Sequence, residues 1–200
     1  MLKMIRVASL AGGVVLICAA SASAQGLGFG VKGGVNISDQ NLTGDNAPSM
    51  DMRYAGVGGA FVTLPLAPWF GVQAEGLYSM KGAKVDVQGV QSSIQIDYAE
   101  IPVLGWVRFA SRYHVSGGPS MAFALRARTR SSFGGTTIEM DAIDQVNRFD
   151  FGVAMGGGVQ LGQLILDGRY TLGLTDIDKD KTDNVQTKNR TISVTAGFRF

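Results

Sequence analysis

The sequence predicts an all-β fold, an eight-stranded antiparallel up-and-down transmembrane β-barrel preceded by a cleaved signal peptide. Three observations carry this. Segment after segment alternates apolar and polar residues, the connections between segments alternate long and short, and the last strand runs to the final residue of the chain. A period of two is the signature of a strand with one apolar and one polar face.

The amino terminus sets the compartment. Lys3 and Arg6 precede an apolar run from Val7 to Ala20, and small residues ending in Ala22-Ser23-Ala24 follow. A basic region, a short hydrophobic core and an A-x-A site make a secretory signal peptide, with cleavage expected after Ala24. The run is short for a retained span, which needs about 20 residues. Ile17 stands where a lipoprotein signal before Cys18 would want a small residue. The expected organisation is therefore a signal peptide over 1–24 and a single barrel domain over 25–200.

Removal of the signal changes the composition. Lys3 and Arg6 leave with it, taking the 18 Lys plus Arg to 16 against 16 Asp plus Glu. A formally neutral mature protein gives no reason to expect a nucleic-acid partner. Cys18, the one cysteine, leaves as well, so neither a disulfide framework nor a thiolate site is expected. No later apolar run is long enough for a membrane helix.

The strands are justified in order. In the first, Leu27, Phe29, Val31, Val35 and Ile37 oppose Lys32, Asn36 and Ser38. The second, "RYAGVGGAFVTL", sets Ala55, Val57 and Phe61 against Gly56, Gly58 and Ala60, with the glycine parity expected inward. The third places Phe70, Val72, Ala74, Tyr78 and Met80 outward, with Gln73, Glu75, Ser79 and Lys81 inward. In the fourth, Ile101, Val103 and Val107 point out and Glu100 in. The fifth opposes Val115, Met121, Phe123 and Leu125 to His114, Ser116, Ser120 and Arg126.

The sixth sets Phe149, Phe151, Val153, Met155 and Val159 against Asp150 and Gln160. The seventh sets Leu164, Leu166, Tyr170, Leu172 and Leu174 against Asp167, Arg169 and Thr171. The eighth, "RTISVTAGFRF", alternates Ile192, Val194, Ala196, Phe198 and Phe200 with Thr, Ser, Gly and Arg up to Phe200.

Long connections are expected at 39–51, 82–93, 127–146 and 176–188, and tight ones at "PLAP", 109–112 and 161–163. That order puts the long loops at one end, extracellular, and both mature termini with the tight turns at the other, periplasmic. Ring closure is required, because an open edge in lipid leaves backbone groups unpaired at several kcal/mol each. The last strand must therefore pair with the first. A lipocalin-like soluble barrel, with the apolar parity inside around a ligand, is the lesser alternative. It fits poorly with small residues on the polar parity and aromatics (Trp69, Phe70, Phe109, Tyr113, Phe198 and Phe200) gathered at strand ends like an interfacial girdle.

An eight-stranded barrel has room inside only for side chains. Gly28, Gly30, Gly34, Gly56, Gly58, Gly118, Gly152, Gly156 and Gly158 share the inward parity and leave space for long residues. The candidate interior charge network is Lys32, Glu75, Glu100, Arg126, Asp167, Arg169 and Arg199, three acids against four bases. Buried charges must pair, so Asp167 and Arg199 are expected side by side, plugging the barrel. Pro102 and Pro119 are expected at bulges.

Other motifs carry less. "GFGVKG" matches a dinucleotide fingerprint but lacks the strand before it and the helix after it. "DIDKDKTDNVQT" starts like a calcium loop with Asp176, Asp178 and Asp180. Lys181 then replaces the required Gly and Thr187 the bidentate Glu, so no metal is expected. "GPSMA" misses the nucleophile elbow at its last glycine, and His114 lies too far along its strand to serve Ser120. No enzyme and no cofactor are expected.

"FGVKGGVNIS", "DYAEIPVLGWVRF", "FDFGVAMGGGVQLGQLILDGRYTLGLTDID" and the terminal "GFRF" resemble the PorT-like outer-membrane β-barrel domain family, most specifically between Phe149 and Asp178. The resemblance covers nearly all of the mature chain. It implies a small barrel of the OmpA and OmpX kind in the bacterial outer membrane, among porin-family envelope proteins, and says little about task. It also implies that Phe200, with Phe198, is an assembly signal read by the barrel-assembly machinery. The expected partners are outer-membrane lipid, that machinery during biogenesis, and a surface ligand or envelope protein met by loops 127–146 and 39–51. The expected protein is a non-enzymatic monomer with a structural or surface-binding role. The alternative is a transport or protein-secretion component.

Overall fold

The structure, a computed structural model, describes residues 26–43, 53–87, 90–133, 136–143, 146–175 and 186–200. Strands fill almost all of them, and no helix is present among them. The order is β1 (Gly28–Thr43), β2 (Arg53–Ala67), β3 (Phe70–Val87), β4 (Val90–Phe109), β5 (Tyr113–Phe133), β6 (Thr136–Asp141), β7 (Phe149–Leu161), β8 (Leu164–Gly173) and β9 (Gln186–Arg199). All neighbours are antiparallel. The ring runs β1-β2-β3-β4-β5-β7-β8-β9 and closes where β9 pairs with β1, from Gly30↔Arg199 to Thr43↔Gln186. Closure removes every edge, and the terminal strand becomes a seam rather than a loose end.

The ring's eight strands are the eight predicted segments; β6 is an addition. It pairs only with the far end of β5, from Arg128↔Asp141 to Phe133↔Thr136, as a hairpin beyond the ring. The expected long loop at 82–93 is likewise mostly ladder, with β3 and β4 paired from Gly82↔Gln95 to Val87↔Val90. The reason is physical. Past the hydrocarbon, neither face needs apolar residues, so the alternation stops while backbone pairing continues.

Burial assigns the faces. On β1, β3, β4, β7, β8 and β9 the polar parity points inward, with Lys32, Glu75, Glu100, Asp150, Thr171 and Thr195 buried. The opposite parity, among it Val35, Val103, Val153, Leu166 and Val194, is exposed on the outside. On β2 the expectation is inverted. Phe61 is paired with Gly30 and Val57 with Gly34, so these apolar residues face the interior and Gly56 and Gly58 face outward. A Cβ at Gly30 would collide with the Phe61 ring, so the glycine on β1 makes the space that the aromatic on β2 fills. Val62→Cys in a refolded chain lacking residues 1–24 is therefore expected to react with a membrane-soluble maleimide, and Phe61→Cys is not. The opposite pattern would restore the predicted parity.

A β-bulge on the β4–β5 ladder has a larger consequence. Asp97 pairs with Arg126 but Tyr98 pairs with Ala124, which leaves Leu125 without a partner. One extra residue reverses the facing of everything beyond it. Ala127 is therefore buried inside the barrel, and Arg126 is exposed outside it. Pro102 and Pro119, by contrast, mark no bulge, since Pro102↔Ser120 and Gly105↔Gly117 keep one register. The proline next to a register shift is Pro65, between β2 and β3.

At the end that carries the tight turns, aromatic rings pair around the rim: Trp69 with Phe70 at 5.9 Å, Phe109 with Tyr113 at 6.0 Å and Phe198 with Phe200 at 5.6 Å. Toward the other end Phe123 meets Phe149 edge-on at 5.2 Å. Exposed aromatics at both ends of an apolar wall suit the two interfaces of a bilayer.

Candidate functional site

The barrel interior is where the chemistry collects. Near the middle, Lys32 Nζ donates to Glu75 Oε1 at 3.0 Å and to Asp167 Oδ2 at 3.3 Å. Arg169 grips Glu75 with both terminal nitrogens, each at 2.7 Å. His114 Nε2 lies 2.8 Å from Asp167 Oδ1. These residues stand on β1, β3, β5 and β8, which are every second strand of the ring. Glu75 on β3 and Arg169 on β8 are diametrically opposed, so their bidentate contact crosses the barrel from wall to wall. The Glu75 side chain is fully buried and that of Lys32 nearly so. Such charges persist only when paired and hydrogen-bonded, as here.

A second set lies nearer the long-loop end. Lys81 Nζ is 2.9 Å from Glu100 Oε2, and the Ser120 hydroxyl donates to Glu100 Oε1 at 2.9 Å. Asn36 donates to the Ser79 hydroxyl at 2.9 Å and accepts from Ser193 at 2.8 Å. Asn189 on β9 donates to Asp150 at 2.8 Å and to Tyr98 on β4 at 3.3 Å. β9 and β4 are opposite in the ring, so this bond crosses the interior again. Above it Ile96, Tyr98, Ala122, Ala127 and Ala142 form an apolar cluster joined by Ile143 and Val146. The segment after β6 therefore packs within the mouth, anchored by Ala142 N–H donating to Ala127 C=O at 3.0 Å.

The predicted residues are thus divided. Lys32, Glu75, Asp167 and Arg169 come together, and Glu100 sits apart with Lys81. Arg126 is not in the interior, because the bulge turns it out. Arg199 does not meet Asp167. The register places Asp167 opposite Thr195, and Arg199 is four residues further, about 13 Å along the strand. Phe198 and Phe200 lie exposed on the girdle. Asp176, Asp178 and Asp180, and the cleavage site after Ala24, lie outside the described residues. The partners that sequence reasoning missed are Lys81, His114, Asn36, Tyr98, Asp150 and Asn189. Their inward parity was readable; their register across the ring was not.

On its outer face β5 carries Arg126, Arg128 and Arg130, the last two within the β5–β6 hairpin. Arg128 and Arg130 both donate to Glu139, at 2.9 and 2.8 Å. The hydrogen bond from Arg130, with the charges of Arg130 and Arg128, holds the Glu139 carboxyl below the usual carboxylate range. All three are exposed, and such pairs add little stability.

A closed antiparallel ring with an apolar exterior, aromatic belts and its polar groups gathered inside defines a membrane-spanning β-barrel. The chain belongs to the outer membrane protein beta-barrel domain family, whose sequence profile matches residues 20–179. No curated protein matches it. Among solved structures, it resembles neisserial surface protein A (NspA) at 12% identity, covering 86% of this chain and 97% of that one, with a TM-score of 0.52. It also resembles Ail, the attachment invasion locus protein of Yersinia pestis, at 15% identity, 86% and 98% coverage and a TM-score of 0.46. OprG from Pseudomonas aeruginosa follows at 14% identity, 86% and 95% coverage and a TM-score of 0.38. At such identities the likeness concerns the fold.

Proposed function

We propose that the protein is a non-enzymatic outer-membrane barrel with a plugged interior, which acts through the surface of its long-loop end. On the resemblance between Phe149 and Asp178 we also assign it to the PorT-like branch of outer-membrane barrels. The observation that carries the reading is the wall-to-wall contact of Glu75 with Arg169, since a solute would have to break a buried, doubly bonded ion pair to pass. A transport or secretion role would instead need a continuous path. With the interior occupied, recognition falls to the loops, oriented outward, with both mature termini in the periplasm. The β5–β6 hairpin is the chosen contact surface for a surface ligand or envelope partner. It presents Arg128 and Arg130, with Arg126 next along β5, beside Glu139 and Asp141 at the edge of the apolar wall.

Deleting residues 130–139 tests this, because the Ala127–Ala142 bond that anchors the mouth is left in place. The truncated protein is expected to stay in the outer-membrane fraction, keep its shifted gel mobility before boiling, and lose surface binding with solute uptake unchanged. Altered uptake with binding intact would favour the transport reading.

A further inference from the structure

At the end that carries the tight turns, the interior opens into a recess of about 520 Å³ counted with its mouth. Three arginines line it: Arg169, which is engaged with Glu75, and Arg108 on β4 and Arg199 on β9. Neither Arg108 nor Arg199 has a carboxylate partner among the described residues. Arg108 Nη2 donates only to Gln160 Oε1 at 3.2 Å, and its guanidinium lies 5.1 Å from the Trp106 ring centroid. Arg199 lines the same recess and makes no side-chain hydrogen bond or ion pair among the described residues. The nearest acid on the recess wall, Asp167, has one oxygen committed to His114 at 2.8 Å and the other to Lys32 at 3.3 Å. Trp106, only 8% exposed, adds a buried Nε1–H that has no acceptor in the protein.

Two half-buried guanidiniums without a carboxylate, beside a buried N–H donor without an acceptor, leave donor capacity unused on one recess. They have the donor chemistry of an oxyanion site, suited to a phosphate, which carries one negative charge as a phosphodiester and between one and two as free phosphate near neutral pH. We propose that this recess binds a phosphate group, held between Arg108 and Arg199 at the mouth opposite the long loops. A free phosphate there offsets most of the charge of both arginines, and a phosphodiester headgroup offsets one of them. The source is either free phosphate or the headgroup of an anionic phospholipid entering from the surrounding leaflet.

The two tryptophans of the chain make the test direct. Trp69 is exposed on the girdle, so in a Trp69→Phe background the emission reports Trp106 alone. The full barrel, refolded in zwitterionic detergent, is titrated with inorganic phosphate at constant ionic strength. A saturable change in emission is expected, weakened by about tenfold in Arg108→Gln and in Arg199→Gln. Arg112→Gln, in the adjacent turn, leaves it unchanged. In nanodiscs of phosphatidylglycerol the change is already present without added phosphate if the headgroup is the source, and absent if free phosphate is. The absence of any saturable response, in detergent and in both phosphatidylglycerol and phosphatidylcholine nanodiscs, overturns the proposal even if the arginine variants fail to fold. So does a response that survives both arginine substitutions.

Discussion

Glu75→Ala is expected to destabilise the barrel by about 3–5 kcal/mol, the cost of stranding buried charge. Glu75 accepts from Arg169 twice, from Lys32 and from Gln73, at 2.6–3.0 Å. Without it, Lys32 and Arg169 share one remaining acid, Asp167. Urea unfolding in lipid vesicles, followed by gel mobility, measures the loss. Glu75→Leu combined with Arg169→Met should recover most of it, because the Lys32–Asp167 pair survives and the opposed pair is replaced by apolar volume. Arg126→Ala, on the outer face of β5, should stay within about 0.5 kcal/mol. If Glu75→Ala cost no more than Arg126→Ala, the inner layer would be ornament rather than structure.

Deletion of Phe200 is expected to act on assembly. The residue stacks edge-on against Phe198 at 5.6 Å on the exposed girdle, and its N–H donates to the Phe29 carbonyl at 2.8 Å. Refolded into detergent, the shortened chain loses one ladder bond and one interfacial ring. That is a loss on the order of 1–3 kcal/mol, with most of the seam intact. In cells the folded, heat-modifiable form should fall much further on the proposal that the terminal aromatic is also read by the barrel-assembly machinery. Equal losses in the two assays would reduce Phe200 to an interfacial anchor.

Much of this was legible in the sequence, for an identifiable reason. A lipid-facing wall is apolar at most alternate positions, so Leu164–Gly173 and the stretch 190–200 show their outward face, whereas the start of β9 at Gln186 falls in the stretch expected as a loop. The eight-strand ring and its seam follow from that pattern and from the need to close. Legibility fails where the interior is also apolar. On β2 an inward Phe61 is tolerated because Gly30, a residue on another strand, vacates the space, and no period within β2 records that. Arg126 was misplaced because a single unpaired residue, Leu125, reverses the facing beyond it. The interior network was half legible: parity announced which charges point inward, but only register across the ring shows that Glu75 meets Arg169 rather than Asp167 meeting Arg199. The β5–β6 hairpin was read as a loop because outside the hydrocarbon a ladder needs no alternation.

The account rests most heavily on an interior that is closed by paired side chains. Conductance of the purified barrel in a planar bilayer addresses that directly. The prediction is insertion without stable current steps, in contrast to Glu75→Ala, which should show intermittent leak as the bridge across the barrel is lost. Stable steps of porin size from the unaltered protein would contradict the account.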